Sequence, residues 1–283
     1  MIMIDCLIFS KDRPCQLDLL LRSINQNFSE IADTTTILYK STGDKFKRGY
    51  DIVKSRFPNF KFVEEEMFVE NVREVVNGFA NESCMFMVDD EVVINGFEVL
   101  PYTNILTKNP DKIHCISLRM HPKVDYTYTW KLKSWPPSSF LNLQAKQDNQ
   151  LLERARAWKW RLNDVRTDWG FPSCINSHIY LTDFYRAYLN RLPFKSPNNL
   201  EIVFHFNRQN FKDIMICFDK PKTTCIANNV TQEGYSHNGN KDHFSLESIN
   251  QKFLDGYIID EKDFYGIEKN MATFDHPYRF RRA

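Results

Sequence analysis

The run Cys84-Met85-Phe86-Met87-Val88-Asp89-Asp90-Glu91 carries a short apolar strand directly into three consecutive carboxylates. Three adjacent negative charges at the end of a buried strand repel one another unless a cation meets them. In open α/β sheets ligands collect at the carboxyl ends of strands, so the cluster falls where a site is expected. A hard divalent ion such as Mg²⁺, shared with a diphosphate, would resolve the repulsion. Such an ion takes one or two protein carboxylates and completes its octahedron with phosphate oxygens and water. An exposed acidic turn after a strand accounts for the same eight residues, and a motif this short does not separate the two readings.

Three further places could carry chemistry. The loop Ser10-Lys11-Asp12-Arg13-Pro14 follows the first predicted strand and holds a carboxylate beside a guanidinium. Asp12 can accept hydrogen bonds from a base or ribose, and Arg13 can meet a diphosphate with its fork of donors. Equally, the two can pair with each other while Pro14 opens a helix. Glu201 lies in the first turn of a predicted helix, where the helix N-terminus stabilises a carboxylate by ~0.3–1 kcal/mol. A general base that deprotonates an incoming hydroxyl is the functional reading of the same residue. In the polar loop from Asn228 to Asp242, His237 is a candidate ligand for a metal-diphosphate, and His243 is a weaker one. The chain has neither G-x-G-x-x-G nor G-x-x-x-x-G-K-[ST], so neither dinucleotide nor P-loop phosphate binding is supported.

The elements that must position these residues follow from periodicity. Met3 to Phe9, Thr35 to Tyr39, Phe60 to Val63 and Cys84 to Val88 read as strands. Between them Leu17, Leu20, Leu21, Ile24 and Phe28, then Phe46, Tyr50, Val53 and Phe57, then Phe68, Val72, Val75, Val76 and Phe79 recur at helical spacing. This βαβαβαβ series predicts an α/β fold with a parallel sheet covered by helices. Beyond Gly96 the alternation loosens. Ile113 to Leu118 and Thr223 to Ala227 are predicted strands. Tyr180 to Leu192, Asn199 to Phe211 (capped by Asn198 or Asn199) and Ser245 to Leu254 are predicted helices. Arg279, Arg281 and Arg282 read as a solvated basic tail.

Lys and Arg total 37 against 36 Asp and Glu, so no global field draws the chain to nucleic acid, and membrane contact is at most peripheral. The seven cysteines are scattered and form no C-x-x-C pair, which speaks against structural zinc and a disulfide framework. Ile2 to Phe9 is broken by Asp5 and is not read as a secretory segment, and no run reaches the ~18 apolar residues of a membrane span. The expectation is a cytoplasmic protein.

The strand ending in Asp89-Asp90-Glu91, after a series opening with Ser10-Lys11-Asp12-Arg13-Pro14, resembles GT-A type nucleotide-sugar-dependent glycosyltransferases with a D-x-D-like motif. Further blocks are similar to those of poorly characterised bacterial and viral glycosyltransferase-like proteins. They are Leu7 to Pro14 with Gln16-Leu17 and Leu20 to Ser23, Pro197 to Glu201, Asn228 to Gln232, and Ile249 to Gly256 with Ile259-Asp260. Together they span nearly the whole chain.

The resemblance implies a single GT-A type domain over 1–283, α/β with a Rossmann-like mixed, mainly parallel sheet flanked by helices, with a nucleotide-sugar half at 1–95, an acceptor-side half at 96–244 and a C-terminal helix and tail at 245–283. It implies that Mn²⁺ or Mg²⁺ is held by Asp89, Asp90 and Glu91, to which the polar loop adds His237 as a candidate further ligand. The donor nucleotide would lie against Ser10, Asp12, Arg13, Lys40, Ser41 and Asp89. The implied reaction moves a sugar from a nucleoside diphosphate donor to a glycan or other hydroxyl acceptor, with inversion if Glu201 is the base. Two departures bear on this: the acidic motif ends in Glu91 rather than Asp, and Asn176-Ser177 stands where an Asp-Gly pair is expected before His178. A binding module with weak turnover, and a nucleotidyltransferase, which would usually show a Gly-rich phosphate loop, are the competing functions.

Overall fold

A computed structural model of the chain describes residues 4–143, 146–147, 150–151, 154–228 and 244–283. The first ninety residues fold as their periodicity dictates. β1 (Ile4–Lys11) is buried along all but its last residue, as a strand covered on both faces must be. Pro14 at the first position of α1 (Pro14–Asn27) supplies a helical φ where no amide hydrogen is needed, and Leu17, Leu20, Leu21 and Ile24 turn inward. Each such side chain contributes about 1.5–3 kcal/mol by leaving water. β2 (Thr35–Lys40), α2 (Asp44–Arg56), β3 (Lys61–Glu64), α3 (Phe68–Asn77) and β4 (Ser83–Val88) complete the series.

The rest of the chain adds β5 (Glu91–Val93), α4 (Leu100–Lys108), β6 (Ile113–Ser117), β7 (Tyr126–Thr127), β8 (Leu132–Lys133), β9 (Leu141–Leu143), β10 (Lys146–Gln147) and β11 (Gln150–Leu151). It continues with β12 (Ala155–Lys159), β13 (His178–Leu181), α5 (Thr182–Leu189), α6 (Pro197–Phe206), β14 (Ile214–Phe218) and β15 (Thr223–Ile226). It closes with α7 (Leu246–Leu254), β16 (Tyr257–Ile259), β17 (Thr273–Phe274) and β18 (Phe280–Arg282). Nine strands form one sheet in the order β3-β2-β1-β4-β13-β6-β14-β12-β9. Only β13 and β12 run against the others, so the sheet is mixed and mainly parallel, in agreement with the expected fold class. One core packs α1, α2, α4 and α7 on one face, and a second packs α3, α5 and α6 on the other.

Three expectations are corrected. Tyr180 and Leu181, expected to start a helix, end β13, which pairs antiparallel with both β4 and β6 in the middle of the sheet. Four residues are too few to show an alternation of their own, and the pairing that makes them a strand joins segments far apart in the chain. The helix expected over 199–211 is α6 followed by a separate 3₁₀ turn at Arg208–Asn210. Its N-cap is Ser196, whose Oγ accepts the Asn199 N–H at 3.2 Å, and not Asn198 or Asn199. The C-terminal arginines are no free tail: β18 pairs with β16, Arg279 pairs with Asp263, and Arg281 meets Glu261 at 2.7 Å. β12, β14 and α4 had no sequence counterpart.

All seven cysteines are free and buried. Among the described residues no helix is long and apolar enough to cross a membrane.

Candidate active site

In the order β3-β2-β1-β4 the chain winds outward from β1 in one direction and then crosses back to add β4 on its other side. That reversal leaves a crevice at the carboxyl ends of β1 and β4. A cavity of about 580 Å³ opens there. Ser10 and Lys11 at the end of β1 and Arg13 just past it border the cavity, as do Lys40 at the end of β2, Glu65 after β3, and Asp89 and Asp90 after β4. Asn176, which precedes β13, and Lys195 to Asn198 with Glu201, around the start of α6, close the opposite wall. Phe9, Leu38 and Phe68 supply an apolar part of the lining.

The cation that the acid cluster calls for is already within the chain. Arg13 is 4% exposed, and its Nη1 donates to Asp89 Oδ1 at 3.0 Å and to Asp90 Oδ2 at 3.3 Å. Its Nη2 donates to the Asn228 carbonyl at 2.9 Å, and its backbone N–H to the Tyr50 hydroxyl at 3.2 Å, which also bonds Ser10 Oγ at 2.7 Å. Asp89 further accepts the Lys11 N–H at 3.1 Å. Burial still pushes the Asp89 carboxyl up to about 6, against the pull of the Arg13 guanidinium. Burial also lowers the stability of charge on Arg13, yet Asp89 and Asp90 more than compensate and hold its pKa above the usual value.

Glu91 has a different environment. It starts β5, where it faces Cys225 of β15, and its carboxylate turns back to accept the Val88 N–H at 3.1 Å. It is 1% exposed and does not border the cavity. Burial pushes its carboxyl up to about 8, with the Ser177 hydroxyl and the Val88 N–H tempering the rise. At neutral pH this acid is mostly protonated. The three carboxylates thus divide: Glu91 is largely neutral, Asp89 is sealed against Arg13 and Lys11, and Asp90, with its side chain 21% exposed, faces the cavity.

Ser10, Arg13 and Lys40 border the cavity, with Lys40 paired to Glu65 at 2.9 Å. Asp12 does not border it: at φ +56° its two carboxylate oxygens accept the Thr42 N–H at 2.7 Å and the Thr42 hydroxyl at 2.8 Å, tying the loops after β1 and β2 together. Ser41 is outside the lining and donates to Glu64 at 3.4 Å. His237 lies outside the described residues.

Glu201 does border the cavity, as the fifth residue of α6 and therefore just past the first turn in which it was expected. Its Oε1 accepts the Ile175 N–H at 2.8 Å. Loss of solvent raises its pKa, opposed by that N–H, by Arg119 and by the Cys174 thiol. Arg119 is itself buried against Asp168.

The Asn176-Ser177 departure has a structural side. Ser177 sits at φ +51°, a left-handed conformation that glycine adopts most easily, and its N–H and C=O bridge Phe86 and Leu118. The backbone that the missing glycine would favour is therefore kept. Asn176 Nδ2 donates to Cys225 Sγ at 3.2 Å while the side chain borders the cavity.

Lys11, Glu65, Phe68 and Lys195 also line the cavity and were not singled out by the sequence. Lys11 and Lys195 lie within or beside quoted blocks, which was the one available signal. For a divalent ion, adjacent hard carboxylates with one of them partly open suit Mg²⁺ or Mn²⁺. Among the described residues no three His, Cys, Asp or Glu side chains converge to hold an ion by themselves. An ion at Asp90 would thus need oxygens from a bound diphosphate or water.

Fold and site define an α/β chain with a charged cleft at the switch point of its sheet, and its sequence blocks resemble those of glycosyltransferases. No family model matches the chain. It is similar to the bifunctional glycosyltransferase pgtA of Dictyostelium discoideum, with 26% identity over 242 residues, which is 79% of this chain and 30% of that protein. The chain therefore spans less than a third of the length of that curated relative. Among solved structures, S. aureus TarS superposes with a TM-score of 0.47 at 13% identity, covering 78% of this chain and 36% of the other. A 4-diphosphocytidyl-2C-methyl-D-erythritol synthase superposes with a TM-score of 0.37 at 9% identity, covering 77% and 90%.

Proposed function

We propose that this chain is a GT-A type catalytic unit that transfers a sugar from a nucleoside diphosphate donor to a hydroxyl of a glycan or other acceptor. The observation that carries the reading is a single cavity bordered on one side by Asp89, Asp90 and Arg13 and on the other by Glu201. Likeness to a curated glycosyltransferase over 79% of the chain supports it.

The acceptor oxygen attacks the anomeric carbon as the bond from that carbon to the diphosphate oxygen breaks, leaving its electron pair on the diphosphate. The centre passes through an oxocarbenium-like state. The acceptor proton goes to the Glu201 carboxylate, whose raised pKa makes it a stronger base near neutral pH, while the Ile175 N–H fixes its orientation. Attack from the Glu201 side inverts the configuration. Lys11 and Lys195, both exposed at the cavity, offer ammonium groups to the phosphates. A divalent ion held at Asp90, beside the Arg13-bound Asp89, would stabilise charge on the departing diphosphate by several kcal/mol.

The test is turnover. Purified protein with Mn²⁺ is incubated with a panel of nucleotide sugars and acceptors, and products are read by mass spectrometry. Transfer or donor hydrolysis is expected with at least one donor. Glu201→Gln should lower kcat by roughly 10²–10⁴-fold without weakening nucleotide binding, and Asp90→Ala should abolish turnover in a folded protein. A panel with no turned-over donor sinks the proposal.

A further inference from the structure

We propose that Arg13 is a resident counter-ion that occupies Asp90 until a nucleoside diphosphate arrives, so that the divalent ion and the nucleotide enter together and the ion binds poorly alone. This rests on the glycosyltransferase reading and extends it to the order in which the site fills. One guanidinium nitrogen spans both carboxylates, 3.0 Å from Asp89 and 3.3 Å from Asp90. The two ends of that bridge differ. Asp89 is sealed, its side chain 7% exposed and its second oxygen bound by the Lys11 N–H at 3.1 Å. Asp90 is 21% exposed, makes the longer contact, and borders the cavity. Asp90 is the acid that can turn to a new partner.

A dication approaching Asp90 without a nucleotide meets a guanidinium that cannot withdraw. Arg13 is held by the Asn228 carbonyl at 2.9 Å and through its own N–H by Tyr50 at 3.2 Å, inside a pocket that leaves it 4% exposed. The ion would exchange attraction to one carboxylate for repulsion from a fixed positive charge, and no third acidic or histidine ligand among the described residues offsets this. A diphosphate reverses the balance. Its negative charges give Arg13 and Lys11 new partners and give the ion the oxygens that the protein does not supply. Fixed repulsion thus becomes positive coupling between ion and nucleotide.

The experiment measures Mn²⁺ uptake by the full chain from the loss of the free-ion electron paramagnetic resonance signal, with and without UDP, GDP, CDP, ADP or dTDP. Wild type is expected to bind Mn²⁺ at least about tenfold more tightly with its preferred nucleotide, and Arg13→Gln to bind Mn²⁺ alone at least about tenfold more tightly than wild type. Equal free-ion affinity in wild type and Arg13→Gln overturns the proposal, as does tight uptake by wild type without nucleotide. If Arg13→Gln does not fold, Asp90→Asn serves instead. It should lose nucleotide-dependent uptake while still showing a nucleotide-induced melting shift without metal, and unchanged uptake overturns the proposal. Either negative result alongside turnover of a nucleotide sugar removes only the counter-ion role. Failure of every nucleotide to shift the melting temperature overturns this proposal and the parent reading together.

Discussion

Replacing Gly49 by alanine probes the packing that sets Arg13 in place. A Cβ at this position would stand 2.5 Å from Pro14 Cγ and 2.6 Å from Asn250 Oδ1, where α2 meets the start of α1 and the middle of α7. Neither neighbour can yield cheaply. Pro14 is a closed ring at the first helical position, and Asn250 is buried with its Nδ2 donating to the Lys45 carbonyl at 3.0 Å. Overpacking of this kind costs about 1–3 kcal/mol, and two contacts so short place it at the upper end. Alanine regains about 1 kcal/mol of helix propensity. The net expectation is a loss of about 2 kcal/mol, read as a lower urea midpoint with unchanged slope. Because Pro14 adjoins Arg13, the same substitution should weaken nucleotide binding in a thermal-shift titration. A variant as stable as wild type, with propensity outweighing the clash, would refute the close approach of these helices and the inference that it seats Arg13.

Two further outcomes follow from individual side chains. Glu91, raised from 4.5 to about 8, holds a proton in the folded state that the unfolded chain releases, so its contribution is complete below pH 4.5 and is lost as pH rises toward 8. Between about pH 6 and 8 wild type should lose roughly 2 kcal/mol relative to Glu91→Gln in urea unfolding, and a pH-independent difference between the two proteins contradicts the buried protonated acid. Ser196→Ala removes the side-chain cap of the helix that carries Glu201 and should cost about 1 kcal/mol; an unaltered urea midpoint would show that the cap contributes nothing.

Much of the first half was legible because its signals are local. Leu17, Leu20, Leu21 and Ile24 share one helical face whatever they pack against, and β1 and β4 are apolar runs with charge at their ends. Asp89, Asp90 and Arg13 were singled out on residue type, and the fold brings them together. Local spacing could not reveal β13, because its four residues become a strand only between β4 and β6. Nor could it show that Asp12 would be spent on Thr42, or that the arginines near the C-terminus would pair with Asp263 and Glu261.

The sequence by itself determined an α/β chain with an acidic cluster at a strand exit and a basic loop able to face it, since periodicity and residue chemistry are properties of neighbours along the chain. Only the tertiary structure decided what each acid is: Glu91 shut away against β15, Asp89 bound to Arg13, and Asp90 left at the cavity opposite Glu201. The charge state of a carboxylate depends on water and on counter-ions brought from distant segments, and folding alone sets both.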